Sequence, residues 1–256
     1  MSQPDSGGPL TLEGRHAVLE ALNTRRPIDK IYILRTGDST LADIRAAARA
    51  AHIPVTETDR RRLDEMSVTG AHQGVIAAVP AAEYADVEDI LRAAETDSEP
   101  ALIVLCDGLN DPHNLGAIVR TAGAAGAHGV IIPRHRSVSL TAAVSKAAAG
   151  ALEHVPVARA ANLADTITLL KKRGIWVFGT AGEAEMSLYD ADLDRPAAIV
   201  IGSEGTGLSR LVRERCDYLV SIPMKGAVPS LNASAAAAVV LFEAVRRRAA
   251  AGNPRP

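Results

Sequence analysis

From residue 101 onward the chain is punctuated by short apolar runs, at 101–106, 129–132, 154–158, 175–179, 197–201 and 218–222. Segments with apolar positions three and four apart separate most of them, at 115–125, 140–149, 163–172, 208–215 and 231–250. Unbroken apolar runs fit strands buried on both faces, and the wider spacing fits helices with one buried stripe. Their alternation predicts an α/β domain built on a mostly parallel sheet with helices on both faces. Ligands of such sheets gather in the loops at the carboxyl ends of the strands. Attention therefore falls on the loops after residues 106, 201 and 222.

Residues 10–80 carry a different rhythm. Helical spacing covers 12–22 and 41–51, and strand-like segments fall at 30–34, 53–56 and 73–79. This predicts a small α/β domain over residues 1–80. Residues 81–100 are acidic and Ala-rich and end in Thr96-Asp-Ser-Glu-Pro100. They read as a short helix and linker before a second domain over 101–256.

Composition sharpens this picture. Apolar residues make up 47% and charged residues 23% of the 256-residue chain, as expected of a packed core. Aromatic residues reach only 3%, so Ala, Leu, Val and Ile must fill that core, and aromatic base-stacking platforms do not dominate any nucleic-acid site. The formal net charge of -2 is no global basic signature, yet a local patch can still attract RNA. Cys106 and Cys216 lie far apart in apolar surroundings and read as free thiols. No apolar run reaches the length of a membrane span, and the first residues hold no apolar signal core. A soluble cytoplasmic protein with no membrane partner is expected.

The chemistry-bearing loops come next. After the first strand runs Asp107-Gly-Leu-Asn-Asp-Pro-His-Asn-Leu-Gly-Ala-Ile-Val-Arg120. Asn114 is expected to start the helix, with Arg120 about 9 Å further along its axis. Alone, this reads more readily as a capped helix with one solvated arginine. Asp107 and Asp111 are weak candidates for metal ligands, and no His/Cys cluster suggests a metal. The loop Ile201-Gly-Ser-Glu-Gly-Thr-Gly-Leu-Ser209 nearly has phosphate-loop spacing. However, Leu208 stands in place of the lysine, and Glu204 puts negative charge where phosphates would sit. The last segment, Ile222-Pro-Met-Lys-Gly-Ala-Val-Pro-Ser-Leu-Asn-Ala-Ser234, enters a helix with Ser230, Asn232 and Ser234 crowded at its start. One such residue suffices to cap a helix, so the surplus suggests that the loop also holds a ligand. The arginine runs 60–62 and 246–248 read as solvated faces, the first with some promise for RNA.

Taken together, Asn114-x-Gly116-x-x-x-Arg120, Ile201-Gly-Ser-Glu204-Gly-x-Gly207 and Ile222-Pro-Met with Ser230-Leu-Asn232-x-Ser234 resemble the SpoU branch of the SPOUT RNA methyltransferases. Gly14-Arg-His-Ala-Val-Leu-Glu-Ala-Leu22, His72-Gln-Gly-Val75 and Gly179-Thr-Ala-Gly-Glu183 extend the resemblance over nearly the whole chain, toward members that methylate a guanosine 2′-oxygen in 23S rRNA. The resemblance implies a deep C-terminal trefoil knot, a rarity among folds. It also implies S-adenosylmethionine as cofactor, RNA rather than DNA as partner, a homodimer with an interfacial active site, and a ribosomal-protein-like N-terminal RNA-binding domain. By the same resemblance Arg120 is the catalytic arginine, and Asn114, Glu204, Ser230 and Asn232 form the polar network around it. Gly202, Gly207, Ile222, Met224 and Leu231 would hold the cofactor, and Ser234 would serve the helix. Pro229, which restricts Val228 to extended geometry, and Ala233, smaller than expected, depart from the family pattern. The remaining readings are a tRNA or rRNA-adenosine methyltransferase and a non-catalytic ribosome-assembly factor.

Overall fold

The computed structural model describes residues 10–35, 39–226 and 230–252. Ala227, Val228 and Pro229 lie outside the described residues, and with them the expectation about Pro229. The chain divides into two units, one ending at Glu83 and including Ser139–Ala143, the other formed by Tyr84–Val138 and Val144–Pro256.

The first unit runs β1 (Leu10–Glu13), α1 (Arg15–Asn23), β2 (Lys30–Leu34), α2 (Ser39–Ala50), β3 (Val55–Thr58), α3 (Arg60–Met66) and β4 (Val75–Val79). Its sheet has the order β1-β4-β2-β3, with β4 antiparallel to both neighbours and β2 parallel to β3. Alternation along β2 and β4 turns Ile31, Ile33, Val75, Ala77 and Val79 toward Val18, Leu22, Leu41 and Ile44 of α1 and α2. The segment 12–22 is not one helix. Its first residues pair as β1, and Gly14 at φ +92 breaks the direction while its N–H donates to the Val75 carbonyl. A positive φ there is open to glycine at little cost. The run 60–62 opens a helix that the apolar spacing alone does not reveal, because Leu63 is its single buried residue.

The second unit runs α4 (Val87–Thr96), β5 (Leu102–Asp107), α5 (Pro112–Ala124), β6 (Gly129–Pro133), α6 (Ala142–Ala148, counted with this unit from Val144 onward), β7 (Val157–Ala160), α7 (Leu163–Lys172), β8 (Trp176–Thr180), β9 (Met186–Ser187), β10 (Ala197–Gly202), α8 (Arg210–Arg215), β11 (Tyr218–Ser221) and α9 (Ala233–Ala250). Its sheet is the expected one, with the order β7-β6-β5-β10-β8-β11-β9 and every ladder parallel. The segment 81–100 is not a free linker. Ile90, Leu91 and Ala94 of α4 are buried in the same core as Ile103, Leu105 and Val200, so the helix is a layer of this unit.

Nor is the run 246–248 a solvated face throughout. Arg248 is buried at 7% exposure, and its guanidinium donates to the carbonyls of Leu193, Pro100, Ala101 and Arg195. Arg246 and Arg247 both pair with Glu243 one turn back. No helix of the described residues is long and apolar enough to cross a membrane.

Candidate active site

The register of the sheet builds the site. Gly202 at the end of β10 lies opposite Asp107 at the end of β5, so the loops leaving these strands start side by side. Asp107 accepts a hydrogen bond from the Ser209 backbone N–H at 2.6 Å, tying the far end of the glycine-rich loop to β5. Asp111, not Asn114, caps α5, taking the His113 N–H at 2.8 Å with Pro112 in the first turn. Both aspartates considered as metal ligands thus have backbone partners. Among the described residues no group of His, Cys, Asp and Glu could hold a metal.

Asn114 sits one turn inside α5, buried at 5% exposure. Burial of an amide demands partners, and they come from the two other loops. Its Nδ2 donates to Glu204 Oε1 at 3.1 Å, and its Oδ1 accepts from Asn232 Nδ2 at 2.9 Å. Asn232 Nδ2 also donates to Glu204 Oε1, closing a triangle between the loops after β5, β10 and β11. The other end of the Asn232 amide caps α9. Its Oδ1 accepts from the N–H of Ser234 at 2.9 Å and of Ala235 at 3.3 Å, and from the Ser234 hydroxyl at 2.6 Å. Ser234 serves the helix start, as expected, but through Asn232, which works for cap and cluster at once.

Gly116 explains itself by packing. A Cβ there would meet the Val144 carbonyl oxygen at 2.7 Å and Ala147 Cβ at 2.4 Å, so α5 and α6 touch backbone to backbone. Arg120 is not brought to the cluster. It lies six residues beyond Asn114, about 9 Å along the axis and on another face of the helix. Its side chain is exposed, and it makes no hydrogen bond or ion pair with a described residue.

Beside the triangle opens a cleft of about 340 Å³. Gly202, Gly207, Ile222, Met224 and Leu231 all line it, as do Glu204 and the exposed Ser230. Asn114 and Asn232 are not among its lining residues and connect to it through Glu204. The wall is sharply folded. Ser203 and Gly207 exchange backbone hydrogen bonds at 3.2 and 2.9 Å, and Gly207 adopts φ +64. A Cβ on Gly202 would lie 2.4 Å from the Gly207 carbonyl carbon, so only glycine fits.

Thr180, Ala181, Gly182 and Glu183 also line the cleft, with Arg213 of α8, and sequence reasoning did not place them in the site. The signal was present, since 179–183 follows a strand at its carboxyl end. Glu183 and Arg213 form an ion pair, and that hydrogen bond is the main cause holding the Glu183 carboxyl below its ordinary range. Cys106 and Cys216 are pushed up to about 12, burial being the main cause, so neither thiol offers a nucleophile.

The donor set suits S-adenosylmethionine. Ile222, Leu231 and the Met224 side chain give apolar walls for a flat base. Gly202 and Gly207 let main-chain groups come close, and carboxylates face the cleft where a cation would be welcome.

Comparison with known proteins agrees with this geometry. Residues 101–242 match the SpoU rRNA Methylase family, and residues 11–85 match the domain described as RNA 2′-O ribose methyltransferase substrate binding. The chain is 48% identical over 240 residues to the 23S rRNA (guanosine-2′-O-)-methyltransferase RlmB of Ralstonia nicotianae, covering 93% of this chain and 95% of that one. It is 46% identical over 241 residues to Bacillus subtilis YacO, whose name assigns it only to the TrmH family of tRNA/rRNA methyltransferases, covering 94% and 96% of the two chains. The structure of the SpoU methyltransferase AviRb from Streptomyces viridochromogenes in complex with AdoMet superposes with a TM-score of 0.61 at 27% identity, over 95% of this chain and 92% of that one. The chain therefore belongs to the SpoU family, as an S-adenosylmethionine-dependent RNA 2′-O-methyltransferase.

Proposed function

We propose that this enzyme methylates the ribose 2′-oxygen of a guanosine in 23S rRNA, in the cytoplasm, and works as a homodimer. The observation that carries the substrate is the 48% identity, over nearly both full lengths, to a relative named for that reaction. Two free cysteines support a reducing compartment. The late strands β10 and β11 enter the sheet between older neighbours, an order that supports the knotted C-terminal region of the reading. In the same reading residues 1–80 form the RNA-binding domain, and the compact first unit that ends at Glu83 supports it.

A ribose hydroxyl is a very weak acid, so its proton must leave as the new bond forms. The bound cofactor supplies an activated methyl group on a sulfonium. Arg120 stabilises the developing alkoxide, since electrostatic stabilisation aimed at growing charge is a large catalytic effect. An arginine does not give up its own proton at neutral pH, so the adjacent RNA phosphate takes the hydroxyl proton. Glu204 and Ser230 face the cleft and orient the ribose, Asn114 and Asn232 hold Glu204 in place, and in-line approach within the cleft does the rest. Arg120 lies away from the triangle of its own chain. An active site at the dimer interface gives this exposed arginine a cleft to act on.

Tritium transfer from labelled cofactor to total RNA, followed by mapping of the modified ribose, tests the reading. Label at one guanosine of 23S rRNA is expected. Label in tRNA or at an adenosine would overturn the substrate, and no label in any RNA would overturn catalysis. Arg120→Ala is expected to abolish transfer and leave cofactor affinity intact.

A further inference from the structure

A second cavity, of about 620 Å³, lies within the first unit. Arg15, His16 and Arg60 line it, over a floor that includes Leu34, and no acidic side chain does so among the described residues. The arginine run 60–62 divides here. Arg61 and Arg62 both pair with Glu65, whereas Arg60 pairs with no described residue and stands at the cavity.

The rim is held in a backbone shape that costs energy. Gln73 adopts φ +49 and Gly74 φ +86, two left-handed residues in succession, the first of them not a glycine. Three sets of bonds hold the turn. Arg15 donates from its backbone N–H to Gln73 Oε1 at 3.2 Å and from Nε to the Gln73 carbonyl at 3.1 Å. His72, only 4% exposed, accepts the Gly74 N–H at Nδ1, at 3.0 Å, so its proton sits on Nε2 and is donated to Asp64 at 2.8 Å. Glu13 accepts from the Ser67 hydroxyl and the Val68 N–H, both at 2.6 Å, pinning the strand of loop that leads to Gly70. Strain of this kind persists only where the surroundings over-determine it, and it concentrates at ligand-binding sites. Holding the turn uses Arg15 but needs neither His16 nor Arg60 on that side.

We propose that this cavity takes one unpaired nucleotide of the RNA substrate, with its phosphate against Arg60, Arg15 and His16 and its base over Leu34. The inference rests on the RNA methyltransferase reading and assigns that enzyme's substrate a second point of attachment. Charge selects a polyanion, and size selects more than a lone phosphate, since the cavity falls within the range of small-ligand pockets. Protein side chains cannot read the deep, narrow groove of helical RNA, so recognition favours the splayed bases of loops and bulges. Preorganisation of the rim by Glu13, Arg15 and His72 lowers the ordering cost of binding.

The test uses the full chain, saturating S-adenosylmethionine and a 23S rRNA transcript, with Arg60→Glu set against Arg61→Glu on the neighbouring helix face. Binding is read by fluorescence anisotropy across a salt series, and turnover by tritium transfer. Arg60→Glu is expected to weaken RNA binding at least tenfold and to lower the salt slope by about one. It should raise KM for RNA with kcat changed less than twofold, and leave cofactor affinity unchanged. Arg61→Glu should stay within twofold throughout. Equal losses in the two variants would reduce the cavity to diffuse attraction, and no loss in Arg60→Glu would remove it as a site; either overturns the proposal. Arg60→Gln, with a smaller loss in the same direction, replaces the charge reversal if that variant melts early. The binding arm needs no methyl transfer, so an inactive wild-type chain would sink the proposed reaction and leave this result readable.

Discussion

Asn232 holds two jobs in one amide, and replacing it by aspartate separates them. Its Oδ1 caps α9 through the N–H groups of Ser234 and Ala235, while its Nδ2 donates to Asn114 and Glu204. Asn232→Asp keeps an oxygen for the cap and deletes both donations. Asn232→Ala deletes everything. A lost cap costs about 1 kcal/mol. The two donations are worth about 1–2 kcal/mol together, after allowing for the solvent exposure of Glu204 and Asn232. Asn232→Ala should therefore lose about 2–3 kcal/mol, or roughly 4–12 °C in Tm for a chain of this size. At pH 8 Asn232→Asp should fall between wild type and Asn232→Ala, because its carboxylate now faces Glu204. Like charges raise the pKa of one member of such a pair in the folded state. The folded protein then binds more protons than the unfolded one, so stability falls as pH rises through that window and recovers as pH drops toward 5. Scanning calorimetry of the three proteins between pH 5 and 8, with methyl transfer measured in parallel, checks this. If Asn232→Asp melts with Asn232→Ala at every pH, the side-chain oxygen does not cap α9. Full transferase activity in Asn232→Asp would show that the donated hydrogen bonds do nothing for catalysis.

The remaining predictions concern other parts of the same framework. Gly202→Ala places a Cβ 2.4 Å from the Gly207 carbonyl carbon and 2.7 Å from the Leu208 nitrogen, backbone atoms that cannot yield without refolding the loop. An overpacking cost of about 1–3 kcal/mol, carried by the cofactor wall, should raise the Kd for S-adenosylmethionine roughly 5- to 150-fold by calorimetry. Arg248→Met strips a donor from the carbonyls of Leu193, Pro100, Ala101 and Arg195, and should cost about 3 kcal/mol in urea denaturation while leaving the initial rate at 25 °C unchanged. Glu13 is lowered to about 2: burial opposes its ionisation, but hydrogen bonds from Ser67, Thr69 and the Val68 and Thr69 N–H groups outweigh it. Its contribution is complete above pH 4.5 and lost as pH falls toward 2, so Glu13→Gln should flatten the drop in stability between pH 5 and 3.

What was legible in the sequence, and what was not, follows from which forces leave a local trace. The parallel sheet of the second unit was legible because both of its faces are covered, so Ala101–Cys106 and Ala197–Ile201 read as unbroken apolar runs. The start of the first unit was not, because Leu10–Glu13 runs straight into an α1 with the same apolar spacing and only the Gly14 turn separates them. The cleft was legible through its glycines, which have no role in a strand end unless something must approach closely. Glu183 and Arg213 were not, since an ion pair between a loop and a distant helix has no sequence period. Arg248 was misread for a related reason: helical position gives the charge, but its burial comes from carbonyls of Pro100, Ala101, Leu193 and Arg195, contributed by segments far away in the chain. Arg120 shows the converse. The motif names it as the catalytic group, yet the fold of one chain leaves it exposed, on another face of α5 from Asn114. The motif and the monomer can both be right only if the arginine meets its substrate outside the single chain. Mixing Arg120→Ala with a cleft variant such as Gly202→Ala therefore decides the matter. Measured at a cofactor concentration below the raised Kd of Gly202→Ala, two chains inactive alone that regain activity together would place Arg120 of one protomer at the cleft of its partner, and a mixture that stays inactive would return Arg120 to its own cleft.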